Sequence, residues 1–347
     1  MKILAINPGS TTTKIALFND QEKIWSYQFD HNLDHQTGLE QRLVLIQEYL
    51  QKNKIDQLEA VIGRGGMLPP LISGTYEVNL RMLDDLANRP LAVHASNLGA
   101  PLAKAIADRF KAKAYIADPV TTDEIEPKHK ITGFKEIKRY AAWHCLNHKA
   151  VARQYAADIG QQYEDLNLII GHLGGGFSFA AHKKGRAVNV INALAGEGVF
   201  TPERSGALPA ADLIKLCFSG KFKQEDLQKR VAGKGGLADL LGTKDVAYLR
   251  QNYDRLDQFT KDVLEEMIFG IARCLASLVP DFEGEKIDQI LITGGLAQWP
   301  LITDKIKFLL NQVPIGISVY PGEKEMEALA AAVGRVLKGT EKLRKYT

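Results

Sequence analysis

Two short loops rich in small residues stand between pairs of strand-like segments. The first, at residues 9–14, holds glycine, serine and three threonines before one lysine, whereas the second consists of three glycines at residues 174–176. An ordinary hairpin needs only two or three turn residues. Small residues let backbone N–H groups approach an anion closely, and the hydroxyls and Lys14 add donors and positive charge. We therefore expect two phosphate-binding hairpins, one in each half of the chain.

The first loop is neither of the two best-known nucleotide-binding loops. It lacks the spacing GxxxxGK[ST] of a P-loop and the spacing GxGxxG of a dinucleotide fold, and a second strand rather than a helix follows it. A hairpin that merely carries polar residues is the alternative for one such loop alone. Two such loops in similar positions favour phosphate binding.

The segments that position these loops alternate between strand-like and helical patterns, which is typical of an α/β fold. We expect strands at residues 3–6, 14–18, 24–29, 60–62, 114–116, 168–172, 177–182, 187–191, 290–293 and 316–320. Apolar residues at helical spacing predict helices at residues 39–52, 97–110, 211–218, 261–278 and 323–338. Both halves contain three strands in series with a small-residue hairpin, so we expect two related domains that face a common cleft.

The composition is that of an average soluble globular protein. The 347 residues suffice for two domains, and 44 basic against 41 acidic residues give a formal net charge of +3. No basic cluster that would bind nucleic acid occurs apart from residues 338–346, which we interpret as a solvated or frayed segment. Three widely spaced cysteines argue against a disulfide framework or a zinc site. No apolar run approaches the roughly 18–20 residues that span a bilayer, so we expect a cytoplasmic protein without a membrane partner.

Several motifs resemble those of acetate and butyrate kinases, which belong to the actin, sugar-kinase and Hsp70 superfamily. In chain order they are "NPGSTTTK", "GRGG", "ADPVTTDE", "WHCLNHK", "GHLGGGFS", "TPERSG", "LITGG" and "YPGEKEMEALA". The resemblance extends from Asn7 to about Arg335, nearly end to end. The motifs "GRGG", "HASNLGAP" and "DPVTTDE" are similar to the butyrate or branched-chain fatty acid kinase branch in particular. The acetate branch has a longer "HRVVHGG" instead of "GRGG", and an asparagine where this chain has Gly175.

The resemblance implies a duplicated actin-like ATPase fold of the ribonuclease H-like type, with two domains around a nucleotide cleft. We expect residues 1–121 and 325–347 to form an N-terminal domain with the first phosphate hairpin and the carboxylate site. Residues 122–324 would form a C-terminal nucleotide-binding domain that also makes a homodimer or a higher homo-oligomer. The apolar helix at residues 261–278 is one candidate for that interface, although burial inside the monomer explains its pattern equally well.

The reaction that the resemblance implies is the reversible transfer of a phosphoryl group from ATP to a short-chain carboxylate, with Mg²⁺ as cofactor. A carboxylic acid has a pKa of about 4–5 and is already ionised at pH 7, so this nucleophile needs no general base. The difficulty lies in bringing one anion against another. The site must therefore supply positive charge and hold both groups in line.

The resemblance assigns roles to four charged residues. Arg64 corresponds to the arginine that binds the carboxylate, and Arg204 to the one that stabilises the transferring phosphoryl group. Asp118 would help to place Mg²⁺ through its waters. Glu325 corresponds to the glutamate associated with the metal, although Glu323 is near enough in sequence to take that role instead. A surface or capping role is the alternative for each residue.

The histidines and glycines complete the implied site. His172 would donate to the transferring phosphoryl group and His144 would lie near the substrate, whereas we interpret His148 as part of a helix scaffold and assign no role to His94. The residues that we expect to bind the nucleotide are Asn7, Ser10, Thr12 and Lys14 in the first hairpin, Gly174, Gly175 and Gly176 in the second, and the pair Gly294 and Gly295 on the adenosine side.

Gly65 and Gly66 follow Arg64 where the acetate branch has bulky side chains, so we expect a roomier pocket for a longer acyl chain. Butyrate is the expected substrate, with isobutyrate, valerate or isovalerate as alternatives. Each buried CH₂ contributes only about 0.8 kcal/mol, which makes discrimination between neighbouring acids weak.

Other functions stay open at this stage. An acetate or propionate kinase would use the same chemistry. A sugar or polyol kinase would need a base such as Asp118 to deprotonate an alcohol, whereas the pair Arg64 and Arg204 favours an anionic acceptor. A nucleotide-switched ATPase similar to actin or Hsp70 would carry additional subdomains, for which this sequence has no spare segment.

Overall fold

A computed structural model of the chain describes residues 1–31, 33 and 38–347. In these ranges eleven strands, numbered along the chain, have the bounds β1 Lys2–Pro8, β2 Thr12–Asn19, β3 Glu22–Asp30, β4 Ala60–Arg64, β5 Thr75–Glu77, β6 Lys113–Ala117, β7 Asn167–Leu173, β8 Phe177–Lys183, β9 Arg186–Asn192, β10 Gln289–Gly294 and β11 Ile317–Pro321. Every strand that we predicted is present, and its bounds differ from the predicted ones by at most two residues. Strand β5 was not predicted, because three residues are too few to show an alternating pattern.

The described ranges also contain eleven α-helices. Their bounds are α1 Leu39–Lys52, α2 Leu80–Asn88, α3 Gly99–Arg109, α4 Cys145–Asp158, α5 Ala210–Cys217, α6 Gln224–Val231, α7 Leu237–Leu240, α8 Val246–Gln251, α9 Gln258–Ser277, α10 Pro300–Leu309 and α11 Glu325–Leu337. None of these helices is long and apolar enough to cross a membrane. The sequence analysis gave no bounds for α2, α4, α6, α7, α8 or α10, although Asn79 caps the first turn of α2 and Pro300 occupies the first position of α10.

The two sheets have the same strand order over five strands. In the first sheet the order is β3-β2-β1-β4-β6-β5, with β1, β2 and β3 antiparallel in series and β1, β4 and β6 parallel. In the second sheet the order is β9-β8-β7-β10-β11, with β7, β8 and β9 antiparallel and β7, β10 and β11 parallel. This confirms the duplication predicted from the sequence.

The chain forms two compact units, each with its own apolar core. Unit 1 comprises Met1–Asp123, Cys145–Asn147 and Lys324–Thr347, and unit 2 comprises Glu124–His144 and His148–Glu323. In unit 1, helices α3 and α11 both pack on the parallel strands β1, β4 and β6. Small buried residues such as Ala328, Ala330 and Ala332 let the backbone of α11 lie close to the sheet.

Helix α9 buries its apolar face inside unit 2. Val263, Met267, Ile271 and Cys274 recur at helical spacing and belong to the hydrophobic core that covers one face of the second sheet. Of the two explanations for this apolar pattern, burial inside the monomer is therefore the one that the structure supports.

The last helix begins two residues later than the sequence pattern predicts. Gly322 has a φ of +86°, and its N–H and C=O groups exchange hydrogen bonds with Gly294. Residues 323–324 consequently remain outside the helix, and Glu325 becomes its first residue. A glutamate in the first turn is favourable for the helix dipole.

The basic segment at residues 338–346 is solvated as expected, since Lys338, Lys342, Arg344 and Lys345 are exposed, but it is not frayed. The backbone N–H of Arg344 donates to the carbonyl of Thr75 at 2.9 Å, beside strand β5. Tyr346 is buried, and its hydroxyl donates to Asp85 at 2.8 Å. The positive charges of the segment lie on a backbone that is fixed to the edge of the first sheet.

Glu341 attaches the same segment to strand β5. Its carboxylate accepts hydrogen bonds from the backbone N–H of Thr75 at 2.9 Å and from the hydroxyl of Thr75 at 2.7 Å, and Arg335 donates to its other oxygen at 2.7 Å. Thr75 is fully buried, so these two donors depend on the glutamate rather than on water.

We predict that Glu341→Ala lowers the free energy of unfolding by about 2 kcal/mol, because it leaves the buried N–H of Thr75 unsatisfied and its hydroxyl with only the carbonyl of Ala332, at 3.5 Å. Urea denaturation measures the loss, and hydrogen exchange at the Thr75 amide should accelerate. Glu48→Ala, the same change on the exposed face of α1, is the control and should cost less than about 0.5 kcal/mol. Equal losses in the two variants would contradict this role of Glu341.

Candidate active site

Three of the predicted site residues lie at one edge of the first sheet. Asn7 is near the end of β1, Arg64 ends β4, and Asp118 directly follows β6. These three strands are parallel neighbours, with Ile6 beside Gly63 and Arg64 beside Ala117. Because the carboxyl ends of parallel strands are where ligands bind in open α/β sheets, unit 1 has a candidate binding edge.

Glu325 joins this edge from the start of α11. Its carboxylate forms a two-pronged ion pair with Arg64, with Nη2 to Oε1 at 2.9 Å and Nη1 to Oε2 at 3.2 Å. Asn7 donates from Nδ2 to Oε2 at 2.6 Å. The pair is largely buried, so the guanidinium plane of Arg64 is held in one orientation.

Asp118 is held in an unusual backbone conformation. Its φ is +41°, a region that residues other than glycine seldom adopt, and its side chain is buried. Oδ1 accepts hydrogen bonds from the hydroxyl of Ser73 at 2.6 Å and from the N–H of Gly74 at 2.9 Å. Strain of this kind is found preferentially at functional sites.

The first hairpin is tighter than the sequence suggested. Only residues 9–11 form the turn, since β2 already begins at Thr12, and the N–H of Gly9 donates to the carbonyl of Thr12 at 2.7 Å. Lys14 is exposed and lies directly across from Asn7 in the register of β1 and β2. Ser10 is exposed in the turn and Thr12 is half-buried. The predicted hairpin residues therefore flank a short turn rather than form one long loop.

The sequence analysis missed a buried arginine behind this hairpin. Arg42, on α1, is fully buried and donates from Nη1 to the hydroxyl of Thr13 at 2.5 Å and to the carbonyl of Thr12 at 3.3 Å. His31 lies 2.8 Å from the same hydroxyl. Burial lowers the pKa of Arg42, and burial together with the charge of Arg42 lowers the pKa of His31. An arginine on an otherwise apolar helical face was the available signal.

The second hairpin lies between β7 and β8 in unit 2. Its three glycines, Gly174, Gly175 and Gly176, connect the strands, and Thr201 donates to the carbonyl of Gly175 at 2.9 Å. The guanidinium of Arg204 lies directly on the backbone of Gly176, since a Cβ there would be 2.0 Å from Cζ of Arg204. Burial lowers the pKa of Arg204, and Glu203 partly opposes that effect. The glycine thus leaves the space that the arginine occupies.

Two histidines stack beside the second hairpin. The rings of His144 and His172 are 3.9 Å apart and tilted by 17°. His172 is fully buried in β7, and its Nε2 is 3.2 Å from Oε1 of Glu323. Glu323 and Glu325 therefore contact different groups, because Glu325 pairs with Arg64 whereas Glu323 pairs with His172. The sequence analysis missed this contact of Glu323.

The two glycines at the end of β10 differ in backbone conformation and in the space around them. Gly294 has a φ of +97°, and a Cβ there would lie 2.3 Å from the carbonyl oxygen of Leu173. Gly295 is exposed, and a Cβ there would meet nothing within 4 Å. Gly294 is therefore explained by packing within unit 2, and the backbone of Gly295 is the accessible part of the pair.

The space beside Gly65 and Gly66 is filled, so the predicted extra room for an acyl chain is wrong. A Cβ at Gly65 would lie 2.5 Å from Cβ of Pro119, and one at Gly66 would lie 2.7 Å from Cα of Asn97. These glycines allow close packing within unit 1. They give no information about acyl chain length.

The residues predicted to serve Mg²⁺ do not form a preassembled cage. In the described part of the chain, no three histidine, cysteine or acidic side chains are grouped as metal ligands. Asp118 and Glu325 already accept hydrogen bonds from Ser73 and from Arg64 and Asn7. This donor set fits Mg²⁺, which retains its waters and is usually held by one or two carboxylates together with substrate phosphates.

Comparisons with known proteins are consistent in sequence and in structure. The pattern of the acetokinase family matches residues 127–305. Butyrate kinase 2 from Clostridium acetobutylicum is 41% identical over 99% of both chains, and a probable butyrate kinase from Clostridium botulinum is 40% identical over 99% of both. A propionate kinase from Francisella tularensis has a TM-score of 0.78 at 19% identity and covers 95% of this chain and 98% of its own. An acetate kinase from Porphyromonas gingivalis has a TM-score of 0.77 at 16% identity, with 97% and 99% covered.

The duplicated sheets and these structural relatives show that the chain has a duplicated α/β fold of the actin-like ATPase class. Within that class, the chain belongs to the acetokinase family and is a phosphotransferase that acts on a carboxylate group. The resemblance noted from the motifs is thereby confirmed.

We predict that Gly65→Val destabilises the protein by about 1–3 kcal/mol and does not shift its preference among acids, because the new side chain meets Pro119. Urea denaturation and the ratio of kcat/KM for butyrate and acetate check the two parts. Gly334→Ala is the control in unit 1, since a Cβ there meets nothing within 4 Å. A stable Gly65→Val variant with a preference for shorter acids would instead support the hypothesis of a roomier pocket beside Gly65.

We predict that Gly176→Ala lowers kcat by about 100-fold, because the methyl group displaces the guanidinium of Arg204. Gly175→Ala is the matched comparison, since its Cβ would only contact Glu203 at 3.4 Å, and its loss should be much smaller. Acyl phosphate trapped as hydroxamate measures both variants, and circular dichroism verifies that they fold. Similar losses at the two glycines would argue against the role of Arg204.

Proposed function

We propose that this protein transfers the γ-phosphoryl group of ATP, bound as its Mg²⁺ complex, to butyrate in a reversible reaction. Isobutyrate, valerate and isovalerate are the further candidate acceptors. The observation that carries the choice of an anionic acceptor is the Arg64 guanidinium held on Glu325 at the carboxyl end of β4. The preference for butyrate rests on the relatives of about 40% identity that are named as butyrate kinases.

Arg64 is suited to bind a carboxylate even though it is already paired. A guanidinium has five N–H donors, and the contacts with Glu325 use one donor on each of its two terminal nitrogens. The remaining donors can take a substrate carboxylate in a fixed orientation. Orienting the nucleophile in this way supplies much of the rate gain when no proton must be removed.

In the proposed reaction a carboxylate oxygen attacks the γ-phosphorus in line with the bond to the β,γ-bridging oxygen. The new O–P bond forms as the P–O bond to ADP breaks, so no proton is transferred and the products are acyl phosphate and ADP. Arg204, His144 and His172 donate to the oxygens of the transferring group and stabilise its charge. Mg²⁺, when bound, neutralises the β- and γ-phosphates, and Asp118 and Glu325 would hold it through its waters.

The two hairpins have complementary roles in this proposal. Asn7, Ser10, Thr12 and Lys14 would contact the phosphates from unit 1, and Gly174, Gly175 and Gly176 from unit 2. The exposed backbone at Gly295 after β10 would lie against the adenosine, with Gly294 fixing its course. Unit 1 would thus bind the carboxylate and contact the phosphates, and unit 2 would contact the phosphates and the adenosine.

The assembly and location follow from the family resemblance and the cysteines. We propose a homodimer, or a higher homo-oligomer, formed through unit 2. All three cysteines are free thiols, and Cys217 is exposed. Free thiols are typical of a reducing compartment, so we propose that the protein acts in the cytoplasm.

The decisive experiment measures kcat/KM for acetate through hexanoate, isobutyrate and isovalerate with Mg²⁺-ATP, and traps the acyl phosphate as hydroxamate. We expect a maximum at about four or five carbons, with differences of only about 4-fold per CH₂ near it. ATP turnover without added acid is the control. A maximum at acetate or propionate would keep the mechanism and reject butyrate, and acid-independent turnover without trapped product would favour a nucleotide-switched ATPase.

A further inference from the structure

A chain of hydrogen bonds extends from His144 into the interior of unit 2. Nδ1 of His144 is 2.8 Å from the hydroxyl of Ser178, which is 3.0 Å from Nε2 of His148. Nδ1 of His148 is 3.3 Å from Nε2 of His182, and Nδ1 of His182 is 2.7 Å from the hydroxyl of Tyr163. The reaction proposed above uses only the first member of this series.

The interior part of the chain is dry and uncharged. His148 and His182 are fully buried, Tyr163 is nearly so, and the ring of Trp143 packs edge-on against both histidines. Burial lowers the pKa of His148 and of His182 well below the usual value, and the charge of nearby Lys149 lowers that of His182 further. Each imidazole is therefore neutral and carries one N–H.

If every hydroxyl and neutral imidazole in the series donates to one neighbour and accepts from the other, two directions of donation are possible. If Tyr163 donates to Nδ1 of His182, then His182 donates from Nε2 to His148, His148 donates from Nε2 to Ser178, and Ser178 donates to Nδ1 of His144. His144 then carries its proton on Nε2. If every bond is reversed, all three histidines carry their proton on Nδ1 instead. In a neutral imidazole the partner of one nitrogen thus fixes the proton on the other.

The hydroxyl of Tyr163 favours the first direction. A phenol is a better donor than acceptor, and a neutral imidazole nitrogen is a good acceptor. Two cations also lie over the ring of Tyr163, Lys149 at 5.9 Å and Arg153 at 5.6 Å from its centroid. They withdraw charge from the ring and strengthen its hydroxyl as a donor. Lys149 is itself buried and paired with Glu124 at 2.9 Å, so its position is fixed.

We propose that Tyr163, His182, His148 and Ser178 are positioning residues that keep His144 in the tautomer with its proton on Nε2. This inference rests on the proposed function, in which His144 donates to an oxygen of the transferring phosphoryl group. The opposite tautomer would present a lone pair to that anion and repel it. Stacking on His172 at 3.9 Å also restricts rotation of the ring and so favours keeping Nδ1 of His144 on the side of Ser178.

The direct test is a long-range ¹H–¹⁵N spectrum of the full chain at neutral pH, which distinguishes the two neutral tautomers of each histidine. Signals are assigned with single histidine-to-glutamine variants. We expect His144, His148 and His182 all to carry the proton on Nε2. A proton on Nδ1 in any of the three overturns the proposal, and the tautomers are read in the native protein, with the variants used for assignment alone.

Tyr163→Phe removes only the hydroxyl that sets the direction. We expect mixed tautomers at all three histidines and a kcat about tenfold lower, with KM for both substrates within about twofold, because only a fraction of molecules keeps the competent tautomer. Tyr320→Phe is the matched control, since it deletes a hydroxyl bonded to Asp158 in the same unit and should change neither readout. An unchanged kcat despite mixed tautomers would also overturn the proposal.

Ser178→Ala breaks the series of hydrogen bonds beside His144, and it provides the test if Tyr163→Phe fails to fold. Here we expect mixed tautomers at His144 while His182 keeps its proton on Nε2, because Tyr163 still donates to it. Loss of the tautomer at His182 as well would contradict the proposed direction. Failure of the proposed function is separate, since absence of acyl phosphate with the native protein leaves the tautomer result intact.

Discussion

The ion pair between Arg64 and Glu325 determines how unit 1 presents its binding edge. It joins the end of β4 to the start of α11, residues that are 261 positions apart in the chain, and Asn7 at the end of β1 bonds to the same carboxylate. Two strands and a helix consequently meet at one point. Because Arg64 is oriented before any substrate arrives, the ordering entropy of its long side chain is already spent during folding.

The two arginines of the proposed site are compensated differently. Arg64 has a carboxylate partner in the protein, so its charge is balanced without substrate. For Arg204, no carboxylate in the described ranges forms an ion pair with it, and burial lowers its pKa. Glu203 offsets only part of the effect of burial, so an anion that binds to Arg204 stabilises its charge. Binding of an anion therefore offsets the desolvation cost of Arg204. At Arg64 the anion is added to the existing ion pair with Glu325. Arg204 is therefore suited to stabilise the charge that develops during phosphoryl transfer, and Arg64 is suited to bind the permanent charge of a carboxylate.

The sequence predicted the strands well because buried strands leave clear apolar runs, but it did not show that Asn7, Arg64 and Asp118 lie at one edge, because that depends on which strands pair. The sequence analysis failed where contacts between residues that are distant in the sequence determine the structure. Gly65 and Gly66 suggested an open pocket, since a missing side chain in a sequence does not reveal that Pro119 and Asn97 fill the space. Tyr346 is held by Asp85, which is 261 residues away, and a basic composition conceals that contact.

The interior chain from Tyr163 to Ser178 was invisible in the sequence for a related reason. Its members come from three separate segments, and each alone is an ordinary strand, helix or turn residue. Once buried, however, they form a series in which every donor needs the next acceptor, so removing one member leaves a partner unsatisfied. Such a series is costly to maintain, and apolar residues of similar volume would serve the core at least as well. Its contact with His144 gives it a use that packing alone does not.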